Sequence, residues 1–395
     1  MNAPKLRFKE FNDEWKITNI NEQCEVFGRI GFRGYTTNDL VEKGQGAISL
    51  SPSNIKGTSL NIEKENTYIS MFKYEESPEI KIYNNDIIFV KTGSSYGKVA
   101  LIEGLNELAT INPQLIVLKN IKCNNKVLCE LLNDNRIQIQ VEQTVVGGTI
   151  PTLSQAEFKK YKFYLPQENE QNKIGKLLKL LDKKIELQTK KIENLKLFKK
   201  GLINSIGKNI EIEKIPLKNI LAEQNHKTIK NNEYEILSST SKGIYLQKDY
   251  FNKQAASDNN VGYKILKKNQ LVLSPQNLWM GNININSKYN IGIVSPSYKI
   301  FDINNNIDID FFDYWIKSPK ALYEYKISSE QGASIVRRNL NMDLFYEIKV
   351  DIPKGKMQNK LGKIIKLLNL KIQYNENSLQ KLQELKKGLM QNMFV

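Results

Sequence analysis

The sequence holds three cysteines (Cys24, Cys123, Cys129) and a single histidine, His226. So sparse and odd a set gives no disulfide framework and fits a reducing compartment, the cytoplasm. Cys123 and Cys129 stand six apart, off zinc-knuckle spacing, and no second histidine is at hand, so a structural zinc site is not expected. A Ser–His or Cys–His nucleophile would have to recruit His226, which lies in the polar run AEQNHKTIK with no nucleophile elbow nearby. Long apolar runs are missing as well. None reaches the ~18 residues that a spanning helix needs, and MNAPKLRFKEFNDEW does not read as a signal peptide. A membrane is not an expected partner.

Catalytic constellations are also absent. The segment Gly93-Ser-Ser-Tyr-Gly97-Lys98 has three residues between its glycines where a phosphate loop has four, and Val99 follows the lysine where Ser or Thr is required. The aligned second copy carries Pro275 and Gln276 and no lysine. No Asn-Pro-Pro-aromatic or Asp-Pro-Pro-aromatic motif of an adenine methyltransferase occurs, and no glycine-rich cofactor loop opens a helix. Asp343, Glu347 and Lys349 have a nuclease-like composition, but the equivalent residues of the first half are Ala156, Lys160 and Lys162. That trio reads as a surface pattern, and the chain is not expected to be an enzyme.

What the sequence has is positive charge and a repeat. Lys plus Arg number 58 against 42 Asp plus Glu, a net charge of +16 over 395 residues. Such a surplus points to a polyanionic partner, here nucleic acid. Pro166 to Ile206 reads PQENEQNKIGKLLKLLDKKIELQTKKIENLKLFKKGLINSI, and Pro353 to Met393 reads PKGKMQNKLGKIIKLLNLKIQYNENSLQKLQELKKGLMQNM. The two align without a gap, 187 residues apart. The chain therefore reads as two tandem units, each a domain followed by a long helix. The expected ranges are 1–165, a helix over 166–206, a second domain over 207–352 and a helix over 353–395.

Heptads counted from Gln171 place Ile174, Leu178, Leu181, Ile185, Gln188, Ile192, Leu195, Lys199 and Leu202 on one seam. Those from Gln358 place Leu361, Ile365, Leu368, Ile372, Asn375, Leu379, Leu382, Lys386 and Leu389. Even the polar interruptions coincide. A buried amide is costly alone, whereas facing amides can bond one another, so Gln188 and Asn375 are the expected register pair of a mutual coiled coil. Its direction follows from connectivity. Each helix is ~48 Å long, and a domain of this size has a radius of gyration of only ~15 Å. The second domain leaves the end of one helix and rejoins the start of the other, which antiparallel helices bring together. The expectation is a dumbbell with a domain at each end.

The domains share a plan. Trp15 to Cys24 answers to Lys214 to Gln224, and AISLSPS from Ala47 to YEILSST from Tyr234. NDIIFVKTGSSYGKV from Asn85 answers to NQLVLSPQNLWMGNI from Asn269, a strand–loop–glycine–strand pattern that predicts a hairpin. ATINPQLIVL from Ala109 answers to IGIVSPSYKI from Ile291, and a helix over Asn124–Val141 to one over Asp308–Ile327. The fold class is α+β, without Rossmann alternation. The hairpin residues Lys91, Thr92, Ser94, Ser95, Tyr96 and Lys98 suit contact with phosphates and base edges, as do Gln276, Asn277, Trp279 and Asn282 in the second copy. Arg29 and Arg33, in the glycine-rich loop FGRIGFRGY, and the pair Arg337 and Arg338 are further candidates for DNA contact.

Taken together, the IPLKNI lead-in, the NDIIFVKTGSSYGKV hairpin, the INPQ and VSPSY segments and the NKIGKLLKLLDKKI and NKLGKIIKLLNLKI helices resemble the specificity subunit of type I restriction-modification systems, over essentially the whole chain. The resemblance implies two pseudo-repeated target-recognition domains joined by an antiparallel coiled coil. Each domain would read one half of a split double-stranded DNA target, and the helices would set the gap. It implies a non-catalytic subunit, without cofactor of its own, holding two methyltransferase subunits that use S-adenosylmethionine and restriction subunits that consume ATP with Mg. No base-reading residue carries over, since such contacts differ with the target. A specificity subunit of a fused type II-like system and a coiled-coil protein adaptor without DNA readout are the alternatives.

Overall fold

The computed structural model describes residues 3–62, 65–144, 151–208, 210–250, 259–331 and 338–395. It divides into two compact units, Met1–Lys190 with Asn377–Val395, and Lys191–Glu376. Each of the two long helices, Glu168–Lys208 and Met357–Met393, is shared between the units.

In the first unit a six-stranded sheet runs in the order Glu25–Gly28, Leu115–Lys119, Ile87–Val90, Val99–Leu101, Ser59–Leu60, Ile55–Lys56. Its three central strands, Leu115–Lys119, Ile87–Val90 and Val99–Leu101, are buried on both faces, which is why they read as nearly unbroken apolar runs. Ile87, Phe89, Val99, Leu101, Ile116 and Leu118 point into one core, and Ile88, Val90, Ala100, Leu115 and Val117 into another. The first core is closed by the helix Asn125–Asn133 together with Ile174 and Leu178 of the central helix and Met393 and Phe394 at the chain's end. The other is closed by a five-stranded sheet in which Gly46–Leu50 and Ala109–Ile111 run parallel.

The second unit repeats this plan in reduced form. Leu221–Gln224, Lys299–Ile303, Leu271–Leu273 and Ile283–Ile285 form a sheet in the same order as the first four strands above. Leu271, Leu273, Ile283 and Phe301 face one core, and Val272 and Ile300 the other. In both units the lead-in strand pairs antiparallel with the strand that feeds the long helix, Lys16–Asn19 with Lys162–Leu165 and Ile212–Pro216 with Lys349–Pro353. The turn before the hairpin's first strand uses a left-handed asparagine in each, Asn85 at φ 78° and Asn269 at φ 65°.

The predicted continuous helices over 124–141 and 308–327 are each two helices. Asp134 adopts an extended backbone after Asn133, and Ser318 caps a new helix beginning at Pro319. Both breaks occur at residues that bond locally to the backbone rather than prolong a helix.

The heptad seam is visible in burial. Every seam position from Gln171 to Leu202 and from Gln358 to Leu389 is buried or half-buried, and most residues between them are exposed. Within the second unit Lys196 pairs with Glu376 at 2.7 Å and Lys199 Nζ donates to Asn369 Oδ1 at 2.6 Å, so the helix segments there run antiparallel. Within the first unit Lys386, a seam residue, reaches Asp182 at 2.7 Å and Glu130 at 2.8 Å. Lys126 pairs with the same two carboxylates. Burial lowers the affinity of the Lys126 ammonium for its proton, and the two carboxylates more than offset this, so its pKa stands above the ordinary value.

The same latch docks each long helix on its domain. Gln171 Oε1 accepts from the backbone N of Asn124 at 2.9 Å, and Gln358 Oε1 from that of Asp308 at 3.1 Å. Asn124 and Asp308 are the N-caps of the helices Asn125–Asn133 and Ile309–Trp315. Gly175 and Gly362, one turn beyond the glutamines, leave room for those caps. The Gln-Asn-Lys-x-Gly pattern shared by the two helices is thus a docking motif.

Candidate nucleic-acid interface

Register brings the candidate residues to one edge of each unit. In the first, Gly28 pairs with Ile116, Leu115 with Val90 and Phe89 with Val99, so the loops joining these strands emerge together. The second sheet ends beside them, with Ile111 opposite Leu50. Backbone bonds tie the loops to one another. Lys91 N donates to Gln114 O at 2.9 Å, Gly93 N to Pro151 O at 3.0 Å and Asn112 N to Leu50 O at 2.8 Å. In the second unit Gln224 pairs with Ile300, Leu273 with Lys299 and with Ile283, which gathers the equivalent loops.

The predicted hairpins are present in both units, and each closes on a left-handed glycine, Gly97 at φ 85° and Gly281 at φ 86°. Within the first loop Ser94 and Lys98 are exposed, while Lys91, Thr92, Ser95 and Tyr96 are half-buried. Tyr96 leans on the core below. Burial holds the Lys91 ammonium below its ordinary pKa. Gln138 Nε2 donates to Gly97 O at 2.9 Å and fixes the loop from beneath. In the second loop Gln276 is exposed, Asn277 and Trp279 are half-buried.

Three expected contact residues have internal tasks instead. Arg29 is 6% exposed, and its guanidinium donates to Ile111 O (3.1 Å), Thr110 Oγ1 (3.1 Å) and Arg33 O (3.3 Å). It lies 5.3 Å from the Tyr35 ring centre, and burial lowers its pKa. Asn282 is buried and accepts from Ser239 Oγ at 2.8 Å, whose oxygen accepts in turn from Asn284 Nδ2. Arg338 donates through Nε to Ser329 Oγ at 2.9 Å and through Nη2 to Lys326 O at 3.3 Å, closing the end of the helix Pro319–Ile327. Arg337 lies outside the described residues. Arg33 is half-buried, 3.5 Å from Glu79 and 5.6 Å above the Phe32 ring. Of the expected register pair, Asn375 is 3% exposed and donates to Lys371 O at 2.6 Å, and Gln188 is half-buried.

Sequence reasoning passed over Ser53 and Gln114, which are exposed on the same edge. Their place immediately beyond paired strands was the available signal. Among the described residues no three His, Cys, Asp or Glu side chains converge to hold a metal. No helix among them is long and apolar enough to cross a membrane. The edge offers hydroxyls, amides and cations on rigid loops, the chemistry of phosphate and base-edge contact.

Residues 12–197 match the Methylase_S family, described as the type I restriction modification DNA specificity domain. A protein of Methanocaldococcus jannaschii assigned as the type I restriction enzyme MjaX specificity subunit is 22% identical over 422 residues, covering 98% of this chain and 95% of that one. Over residues 12–197 the chain carries a type I restriction-modification specificity domain. The crystal structure of the type I restriction-modification S subunit from M. genitalium superposes with a TM-score of 0.64 at 18% identity, covering 100% of this chain and 99% of that one. At that identity the shared property is the fold, two mixed domains with two long helices. Specificity subunits are the non-catalytic members of type I systems.

Proposed function

We propose that each unit of this specificity subunit reads one half of a split DNA target through its loop-bearing edge, and that the paired helices set the number of unread base pairs between the halves. The observation that carries this reading is the repetition itself. Four strands in one order, a hairpin closed on a left-handed glycine and a converging set of loops occur once in each unit. The net charge of +16 supplies the sequence-independent attraction to phosphates.

Catalysis then falls to partners. Two methyltransferase subunits carrying S-adenosylmethionine, and restriction subunits using ATP and Mg, would assemble on this chain in the cytoplasm. Apolar side chains left exposed on the long helices support such docking: Leu180, Leu187 and Leu385 in the first unit, Phe198, Leu367 and Tyr374 in the second. The domain boundaries that follow are those of the repeat, with readers over 1–165 and 207–352 and spacers over 166–206 and 353–395.

Exchanging residues 1–150 for the equivalent part of another specificity subunit tests the reading. Base-resolution mapping of modified adenines in cells carrying the hybrid and its partners should show one half-site replaced and the other kept. A target altered in both halves, or in neither, overturns independent reading.

A further inference from the structure

Ile229 is 85% exposed and Phe32 83%, the two highest values among the large apolar side chains described. They hold the same place in their units. Phe32 is on the loop after strand Glu25–Gly28, and Ile229 on the loop after Leu221–Gln224. Those strands occupy the same outer position of the main sheet, so both loops emerge at the candidate DNA edge.

Neither tip is loose. Beneath Phe32, buried Arg29 bonds to strand Ala109–Ile111 and back to Arg33 O, Arg33 N donates to Ile30 O at 2.9 Å, and Tyr35 Oη meets Ser49 Oγ at 2.8 Å. Beneath Ile229, Thr228 is 4% exposed, with its N donating to Tyr263 O and its Oγ1 to Asn260 O, each at 2.9 Å. Asn260 and Asn232 bond reciprocally at 2.7 Å, and Ile265 N donates to His226 O at 2.8 Å. Two loops that differ in sequence thus share one feature: an outward apolar side chain on a loop braced from within. A cation follows each, Arg33 and Lys230.

We propose that Phe32 and Ile229 are wedges that enter the base stack of duplex DNA, one in each half-site. Apart from thymine methyl groups, the flat faces exposed when two base pairs part are the apolar surface a duplex offers, and an apolar side chain between them kinks the helix. A pre-braced loop inserts without losing loop entropy. Of the two neighbouring cations, Lys230 is exposed, while Arg33 is half-buried 3.5 Å from Glu79. The inference rests on the half-site reading above.

The test uses the subunit assembled with its partners and a duplex bearing the target mapped in the producing cells, with 2-aminopurine placed at successive steps. Binding should raise fluorescence at one step in each half-site. Phe32→Ala should abolish the rise in one half and Ile229→Ala in the other, each weakening binding about tenfold, while Phe32→Leu keeps it. No rise at any step, or unchanged affinity in both alanine variants, overturns the wedges and leaves the half-site reading standing. Loss of partner assembly with DNA affinity intact overturns them in favour of a protein contact. Failure of the unaltered complex to prefer the target over a scrambled duplex overturns the half-site reading and the wedges with it.

Discussion

Burial pushes the thiols of Cys24 and Cys129 up to about 12, against an ordinary value of ~8.5. An acid whose pKa is raised by folding favours the folded state while it stays neutral. The contribution is whole below ~8.5 and is lost as pH rises from there towards 12. Two outcomes follow. Cys24 and Cys129 should resist a thiol reagent at pH 8 in the native chain and react on unfolding, and urea midpoints should fall progressively above pH ~8.5. Rapid labelling of both in the native state would contradict the packing. Burial of this kind is hard to read from sequence when the residue is polar. Arg29 and Asn282 have the side chains of base readers, and nothing local distinguishes them. What places Arg29 inside is a carbonyl 82 residues away, on Ile111. The apolar tips were missed for the opposite reason, since Phe32 and Ile229 look like core residues until their loops are folded.

The long helices were the most legible elements. Their period of 3.5 states which residues are buried, and burial follows the seam through Gln188, Lys199 and Asn375 as well as the leucines. The glycines were not legible in the same way, although all four repeat. A Cβ on Gly175 would meet Asn124 Oδ1 at 2.5 Å, and one on Gly362 would press closer still on Asp308 Oδ1, whereas Gly201 and Gly388 face open space. Alanine is the better helix former by ~1 kcal/mol, so substitution should divide the set. Gly201→Ala and Gly388→Ala should stabilise by up to ~1 kcal/mol in urea titrations. Gly175→Ala and Gly362→Ala should destabilise by ~1–3 kcal/mol through overpacking against the caps. Equal shifts for all four would mean that the latch does not constrain the helix entry. The broken helices near Asp134 and Ser318 belong to this scale too, since a helical period survives an interruption of one residue, as at Asp134, or of three, as from Ile316 to Ser318, that only cap geometry reveals.

At the scale of the molecule, the proposal makes the paired helices a spacer, and the unit borders show where its length can be changed without disturbing what holds it in register. Both helices pass from one unit to the other, at Lys190–Lys191 and Glu376–Asn377. Each unit carries its own polar fastening, Asp182 with Lys386 in the first, Lys199 with Asn369 and Lys196 with Glu376 in the second. Seven residues inserted at both borders keep the heptad phase and leave every one of these pairs on its own side. The spacer grows by ~10 Å, which corresponds to up to ~3 base pairs of duplex. Four residues at each border would add ~6 Å but leave the heptad phase, turning the apolar seam away from its partner. Methylome mapping should therefore show both half-sites intact and the gap widened by up to ~3 base pairs for the seven-residue pair, and loss of modification for the four-residue pair. An unchanged gap in the seven-residue variant, with both half-sites still modified, would mean that something other than these helices measures the distance.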